Sequence, residues 1–230
     1  KAIDFTGSYV ENLGVAGRMT ICNMAVEMGA KTAYMQPNQE VIDYVMKRAV
    51  RPFEIQFTDA WYKYAESYVF DVSKLEPELA CPSSVENVHT LASVVAQGEV
   101  KLNQGYIGSC TGGRVEDIAV AAKILKGRHI PDYTRLVVIP ASREVMLECI
   151  TKGYITDLMN AGATISTPGC GACLGAHEGI LAPGEVCITS TNRNFPGRMG
   201  STEAKMYLAS PATVAASMVY GKITDPREFL

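Results

Sequence analysis

The sequence predicts an α/β protein built on largely parallel sheets, and three observations carry that prediction. From Gly98 onward, short β-branched apolar runs alternate with stretches of helical periodicity, with turn-forming residues at the strand ends. Hydrophobic residues make up 47% of the 230 residues and charged residues 20%, enough to build a sizeable core. The polar and thiol side chains that stand out (Cys110, Cys170 and Asn192) each follow closely on a predicted strand. In open α/β sheets that is where ligands bind.

The elements follow in order. Residues 2–10 alternate weakly and read as a strand or an entry loop. Residues 18–28, RMTICNMAVEM, have helical character, and Gly29 supplies the stop. Asn23 and Glu27 lie four apart on one face of that helix; by residue type alone they form a partly exposed polar edge. Asn38 is placed to cap a helix over 39–49. Residues 53–58 and 67–72 look like strands, with Trp61, Tyr62 and Tyr64 between them as packing residues. The PELACP stretch, 77–82, is a natural boundary and divides the chain into 1–79 and 80–230. Residues 85–97 fit a helix or an irregular segment equally well.

Beyond Gly98 a strand is expected over 104–109. A helix over 114–126 follows, with Ile118, Ala121, Ala122 and Leu125 on one face and Gly127 after it. A β-branched strand over 135–139 leads to Ser142, which can cap a helix over 143–152. A short helix over 155–160 and strands over 163–166 and 186–190 come next. Ser210 and Pro211 stand as N-cap and first residue of a last helix, 212–220.

Composition excludes several classes. A net charge of −3 lacks the basic face of a general nucleic-acid binder. No apolar run approaches the about 20 residues of a membrane span, and no signal peptide is visible. Seven cysteines, an odd number in a chain too long for a small secreted scaffold, imply a reducing, cytoplasmic setting rather than a disulfide framework. Cys22, Cys149 and Cys187 lie inside apolar patterns and read as buried small hydrophobes. The chain opens at Lys1 on an apolar segment and reads as the interior of a longer polypeptide.

The chemistry concentrates in TPGCGACLGAH, 167–177. Cys170 and Cys173 sit three apart among side chains small enough to let backbone approach a bulky group. Cys110, in IGSCTGGR, is a third soft ligand, and thiolates suit soft metals. Two arrangements are open. A structural zinc site needs four ligands and would recruit His177. An iron–sulfur cluster on three cysteines leaves one iron without a protein ligand, able to polarise a substrate hydroxyl. Arg193 and Arg198 then suit the carboxylates of a di- or tricarboxylate; as isolated residues they are two solvated charges.

The stretches ICNMAVEMGA (21–30), IGSCTGGR (107–114), PGCGACLG (168–175) and NRNFPGR (192–198) occur in the order of one known family. In these motifs the chain resembles the aconitase superfamily, and within it the large subunits of the isopropylmalate dehydratase type with their homoaconitase-like relatives. The resemblance covers nearly the whole chain. It implies two α/β/α domains with largely parallel, mixed sheets, and a [4Fe–4S] cluster on Cys110, Cys170 and Cys173. It places Asn23 and Glu27 near the reacting hydroxyl, Asn192 against the cluster, and Arg193 and Arg198 on substrate carboxylates. The implied reaction dehydrates a hydroxy acid and rehydrates the neighbouring carbon. The implied partner is a small subunit carrying a swivelling domain.

The chain departs from the family pattern in two places. Gly112 stands where the family usually has Asn after the cluster cysteine and threonine. The family's amino-terminal His-Asp and Asp-Ser-His motifs are missing: the histidines are His89, His129 and His177. The isolated chain is therefore expected to be inactive and its cluster labile. Homoaconitate, citraconate, maleate and dimethylmalate hydratases are neighbouring readings. A non-catalytic module, either iron-sensing and RNA-binding or zinc-stapled, is the reading of another class.

Overall fold

A computed structural model describes residues 1–230. The backbone falls into two units, Lys1–Leu75 and Glu76–Leu230.

In the first unit, β1 (Ala2–Phe5) pairs in parallel with β2 (Thr32–Met35). The short α1 (Ser8–Glu11) and then α2 (Val15–Met24) connect them, and α3 (Gln39–Met46) follows. Arg18 is the hub. It is only 5% exposed, and its guanidinium donates to the carbonyls of Leu13, Gln36, Val10 and Glu11. A buried cation is tolerable there because backbone carbonyls satisfy its donors. Asn38 caps α3 as its type predicts, its Oδ1 accepting from the Val41 N–H at 3.1 Å.

Several expectations for this unit need correction. The helix expected over 18–28 starts earlier, at Val15, and ends as an α-helix at Met24. From Ala25 the N–H groups reach back three residues, so Glu27 lies in tight turns rather than on a helical face with Asn23. Gly29 does close the run: at φ 79° it lets its own N–H bond Val26 and that of Ala30 bond Ala25. The strands expected over 53–58 and 67–72 do not form, and no helix or strand lies between α3 and β3 (Glu78–Ala80). Alternating apolar residues make a strand only where a neighbour takes their backbone groups, and here the segment is held through side chains. Tyr34 donates to the Gln56 carbonyl, and Thr58 and Tyr64 both donate to Asp4. Trp61 is 76% exposed rather than packed, and Cys22 is half-buried rather than buried.

The second unit holds a seven-stranded sheet. Its strands are β3, β4 (Val88–Thr90), β5 (Gln104–Gly108), β6 (Arg135–Ile139), β7 (Thr164–Ile165), β8 (Val186–Thr189) and β9 (Lys205–Leu208). They lie in the order β4-β3-β9-β8-β5-β6-β7. From β9 to β7 all pairings are parallel; at one edge β3 runs against β9, and β4 in turn runs against β3. The ambiguous stretch 85–97 becomes β4 followed by α4 (Leu91–Ala96), with Thr90 as its cap. The strand β9 was not expected; KMYL is four residues long and opens on a lysine.

Alternation along the strands sorts their side chains onto two faces. Ile107, Leu136, Val138 and Ile188 join a core with α6 (Val115–Leu125), α7 (Arg143–Thr151), α8 (Tyr154–Asn160) and α9 (Pro211–Tyr220). Tyr106, Val137, Ile139, Cys187 and Met206 face the other way, into a second core with Ala172, Cys173, Leu181 and Met199. That second face is covered by the glycine-rich chain rather than by helices. Its far end is fastened by Arg135, which makes two bonds to the Glu185 carboxylate at 2.7 and 2.6 Å and a third to Gln104. Ser142 and Ser210 cap α7 and α9 as their positions predict. No helix is long and apolar enough to cross a membrane.

Candidate active site

The central strand β5 gathers the cysteines. Its last residue, Gly108, runs into α5 (Ser109–Gly112), a separate four-residue turn that presents Cys110. A Cβ on Gly108 would lie 2.4 Å from the Ile139 carbonyl, so only glycine lets the strand end this close to β6. Two residues back, Tyr106 points to the loop-covered face, fully buried, and its hydroxyl donates to the Cys170 carbonyl at 2.8 Å. Cys170 opens a one-turn 3₁₀ helix, Gly171–Leu174, that contains Cys173. One strand thus holds Cys110 through its backbone and the Cys170–Cys173 loop through a side chain.

Electrostatics records the same convergence. Burial pushes the Tyr106 hydroxyl well above its ordinary range, and the Cys173, Cys170 and Cys110 sulfurs, in that order, push it further. All three thiols therefore lie within electrostatic reach of one phenol. Cys173 is buried, while Cys110 and Cys170 are exposed. Burial raises the Cys173 thiol; Ser109 and then the Arg198 charge act against it, and Cys110 adds to the rise. Ser109 Oγ and Arg198 Nε are nonetheless buried without a hydrogen-bond partner of normal geometry. They lie near enough to Cys173 to favour its thiolate, but form no closed bond with it. The other cysteines differ. Burial drives Cys187 to about 12 and Cys149 to about 11, which keeps both as inert thiols, as their apolar patterns imply.

The donor set fits a cluster better than a single ion. No three or more His, Cys, Asp or Glu side chains are grouped as one metal ion would need. Three thiols nevertheless act on Tyr106 electrostatically, and a multi-iron cluster is wide enough to be gripped by thiolates set further apart than an ion's ligands. Two polar groups without partners face one of those sulfurs. His177 does not complete a zinc set: it is exposed, with its Nδ1 4.0 Å from Glu178.

The arginine loop leaves the carboxyl end of β8, next to β5. Asn192 is buried, Arg193 and Arg198 are half-buried, and Arg198 reaches toward Cys173 as described. Asn23 and Glu27 belong to the first unit. Sequence reasoning missed Tyr106, Ser109, Ser190 and Asn194. Asn194, only 1% exposed, donates to the carbonyls of Ala80, Cys81 and Ser84 and so ties the β3–β4 connection to the arginine loop. Tyr106 could have been found: it sits two residues before the strand end, on the face opposite Ile107, with a polar tip that needs a partner.

The model of the aconitase family (aconitate hydratase) matches residues 1–221. The chain belongs to the aconitase family. It is 48% identical over 228 residues to a protein of Methanosarcina mazei named "probable methanogen homoaconitase large subunit", covering 99% of this chain and 57% of that protein. It is 48% identical over 232 residues to 3-isopropylmalate dehydratase large subunit 1 of Methanopyrus kandleri, covering 100% and 54%. It is 46% identical over 228 residues to the 3-isopropylmalate dehydratase large subunit of a Hydrogenobaculum strain, covering 99% and 53%. The chain spans about half the length of these curated relatives. As a member of this family it has the expected α/β architecture with a mostly parallel, mixed sheet.

Proposed function

We propose that this chain is the cluster-bearing part of a hydro-lyase that interconverts 2- and 3-isopropylmalate, working with a small subunit that carries a swivelling domain. What supports the reading is that one strand serves both cysteine segments: β5 runs straight into the turn of Cys110, and its Tyr106 hydroxyl donates to the Cys170 carbonyl at 2.8 Å. Cys110, Cys170 and Cys173 would hold a [4Fe–4S] cluster. When bound, such a cluster supplies an iron free of protein ligands, a Lewis acid for a substrate hydroxyl.

This chain's own residues divide the remaining work. Arg193 and Arg198 bind substrate carboxylates through planar forks, which orients a dicarboxylate by two points. Ser109 and Arg198 bias Cys173 toward its thiolate. Asn192, buried at the start of the arginine loop, would lie against the cluster. Asn23 and Glu27, assigned by family resemblance, hold and move the proton of the reacting hydroxyl or water. The name of the Methanosarcina relative makes homoaconitate the second substrate to test.

The test is anaerobic reconstitution with iron and sulfide, followed by metal and sulfide analysis and a visible spectrum. Equal iron and sulfide, abolished in the triple variant C110S/C170S/C173S, is the expected result. Zinc alone, or binding indifferent to those substitutions, refutes the assignment. Turnover of isopropylmalate and homoaconitate is then measured with and without the partner subunit and the portion of the large subunit that the relatives have in addition. We expect none from the 230-residue chain alone.

A further inference from the structure

The turn carrying Cys110 cannot hold its own shape. Ser109, a non-glycine residue, sits at φ 62°, in the left-handed region that costs an L-residue energy unless its surroundings impose it. Something outside the turn must therefore fix it. We propose that Ser190 is that group, a positioning residue that clasps both ends of the turn and so sets where the Cys110 thiol points. The inference rests on the cluster reading of the three thiols and adds a residue to it.

Ser190 is the first residue beyond β8 and is 3% exposed. Its own N–H donates to the Tyr106 carbonyl at 3.0 Å, so the sheet fixes its backbone. Its hydroxyl accepts from the Gly108 N–H at 3.1 Å and lies 3.3 Å from the Gly112 carbonyl, to which it donates. One hydroxyl thus spends its single proton on the turn's last residue and a lone pair on the residue just before the turn. Arg114 adds only a peripheral bond to the Cys110 carbonyl, at 3.3 Å and exposed.

Gly112 is the counterpart of this clasp. A Cβ there would lie 2.3 Å from Ser190 Oγ and 2.5 Å from Ser190 Cβ. The two positions share one volume, so glycine at 112 is what lets Ser190 reach across. This gives a physical reason for the departure at Gly112: in this chain the space beside it is already filled from the neighbouring strand. Ser190 also lies two residues before Asn192, so the strand end that clasps the cysteine turn continues directly into the arginine loop.

The experiment needs no cluster. In the metal-free chain, iodoacetamide labelling is followed site by site by mass spectrometry, with exposed Cys170 as the internal reference for Cys110. Amide exchange of Gly108 is read in the same samples. Loss of one buried hydrogen bond of about 1 kcal/mol corresponds to about fivefold. Ser190→Ala is expected to change the Cys110-to-Cys170 rate ratio by at least about that factor and to lower Gly108 protection similarly. Ser190→Thr, which keeps the hydroxyl, should restore both. Gly112→Ala should disturb the ratio, and adding Ser190→Gly should partly relieve it. If Ser190→Ala does not fold, the Ser190→Thr and Gly112→Ala ratios carry the same decision.

An unchanged ratio in Ser190→Ala, or an equal change at both cysteines, overturns the proposal, because a merely structural loss loosens both sites alike. Failure of the wild-type chain to take up iron and sulfide would count against the cluster reading and leave the labelling result standing.

Discussion

The two units of this chain obey the same chemistry with opposite results. In Glu76–Leu230, seven strands satisfy one another's backbone groups and hide Tyr106, Ile107, Leu136 and Ile188 completely. In Lys1–Leu75, two four-residue strands form the whole sheet, and the buried side chains reduce to Arg18, Ala25, Ala30 and Met35. Val50 and Val69 stand 95% and 98% exposed. Residues 50–75 still include Phe53, Ile55, Phe57, Val69, Phe70 and Val72. They lack a ladder to join, so composition alone does not decide which segments become core.

The contrast can be broken most forcefully at Leu136. Leu136→Ala removes a fully buried side chain from the central sheet and should lower the unfolding free energy of the second unit by about 2–5 kcal/mol, read by urea titration. A loss under 1 kcal/mol would mean that the packing described for this face is wrong. Next comes Tyr106→Phe, which leaves the Cys170 carbonyl with the Cys173 N–H alone. It should cost about 0.5–1.5 kcal/mol and, unlike Leu136→Ala, speed alkylation of Cys170 in the folded protein.

An effect that depends on pH is expected at Asp117. Burial raises its carboxyl from 3.8 to about 6, although it accepts the Arg114 N–H at the start of α6. The folded state then binds a proton more readily than the unfolded one. Its contribution to stability is fullest below about pH 4 and is lost as pH rises through about 6. Asp117→Asn should therefore match the parent near pH 4 and exceed it by on the order of 1–2 kcal/mol near pH 7.5, in denaturant midpoints measured at both. A variant weaker at the higher pH would show that the charge is welcome there. The smallest effect belongs to the other unit: Trp61→Ala, at 76% exposure, should change stability by no more than about 0.5 kcal/mol.

Much of the second unit was legible because its signals are local. Ser142, Ser210 and Pro211 mark helix starts by their own chemistry, and 135–139 can hardly be anything but a strand. The three cysteines stood out because their neighbours are too small to pack around them. What was not legible depends on partners distant in sequence. Residues 53–58 and 67–72 have strand composition, but no strand lies beside them. Ser190 looks like any serine at a strand end; its role exists only because Gly112, seventy-eight positions away, leaves it room. Tyr106 holds the Cys170 carbonyl across sixty-four.

The lone tryptophan has a practical consequence. Because Trp61 stands in water on the least covered stretch of the chain, its emission colour serves as an optical gauge of anything that settles there. A polypeptide, a lipid surface or a second copy that dried the indole would announce itself as a shift to the blue, without a label and without disturbing the cysteines.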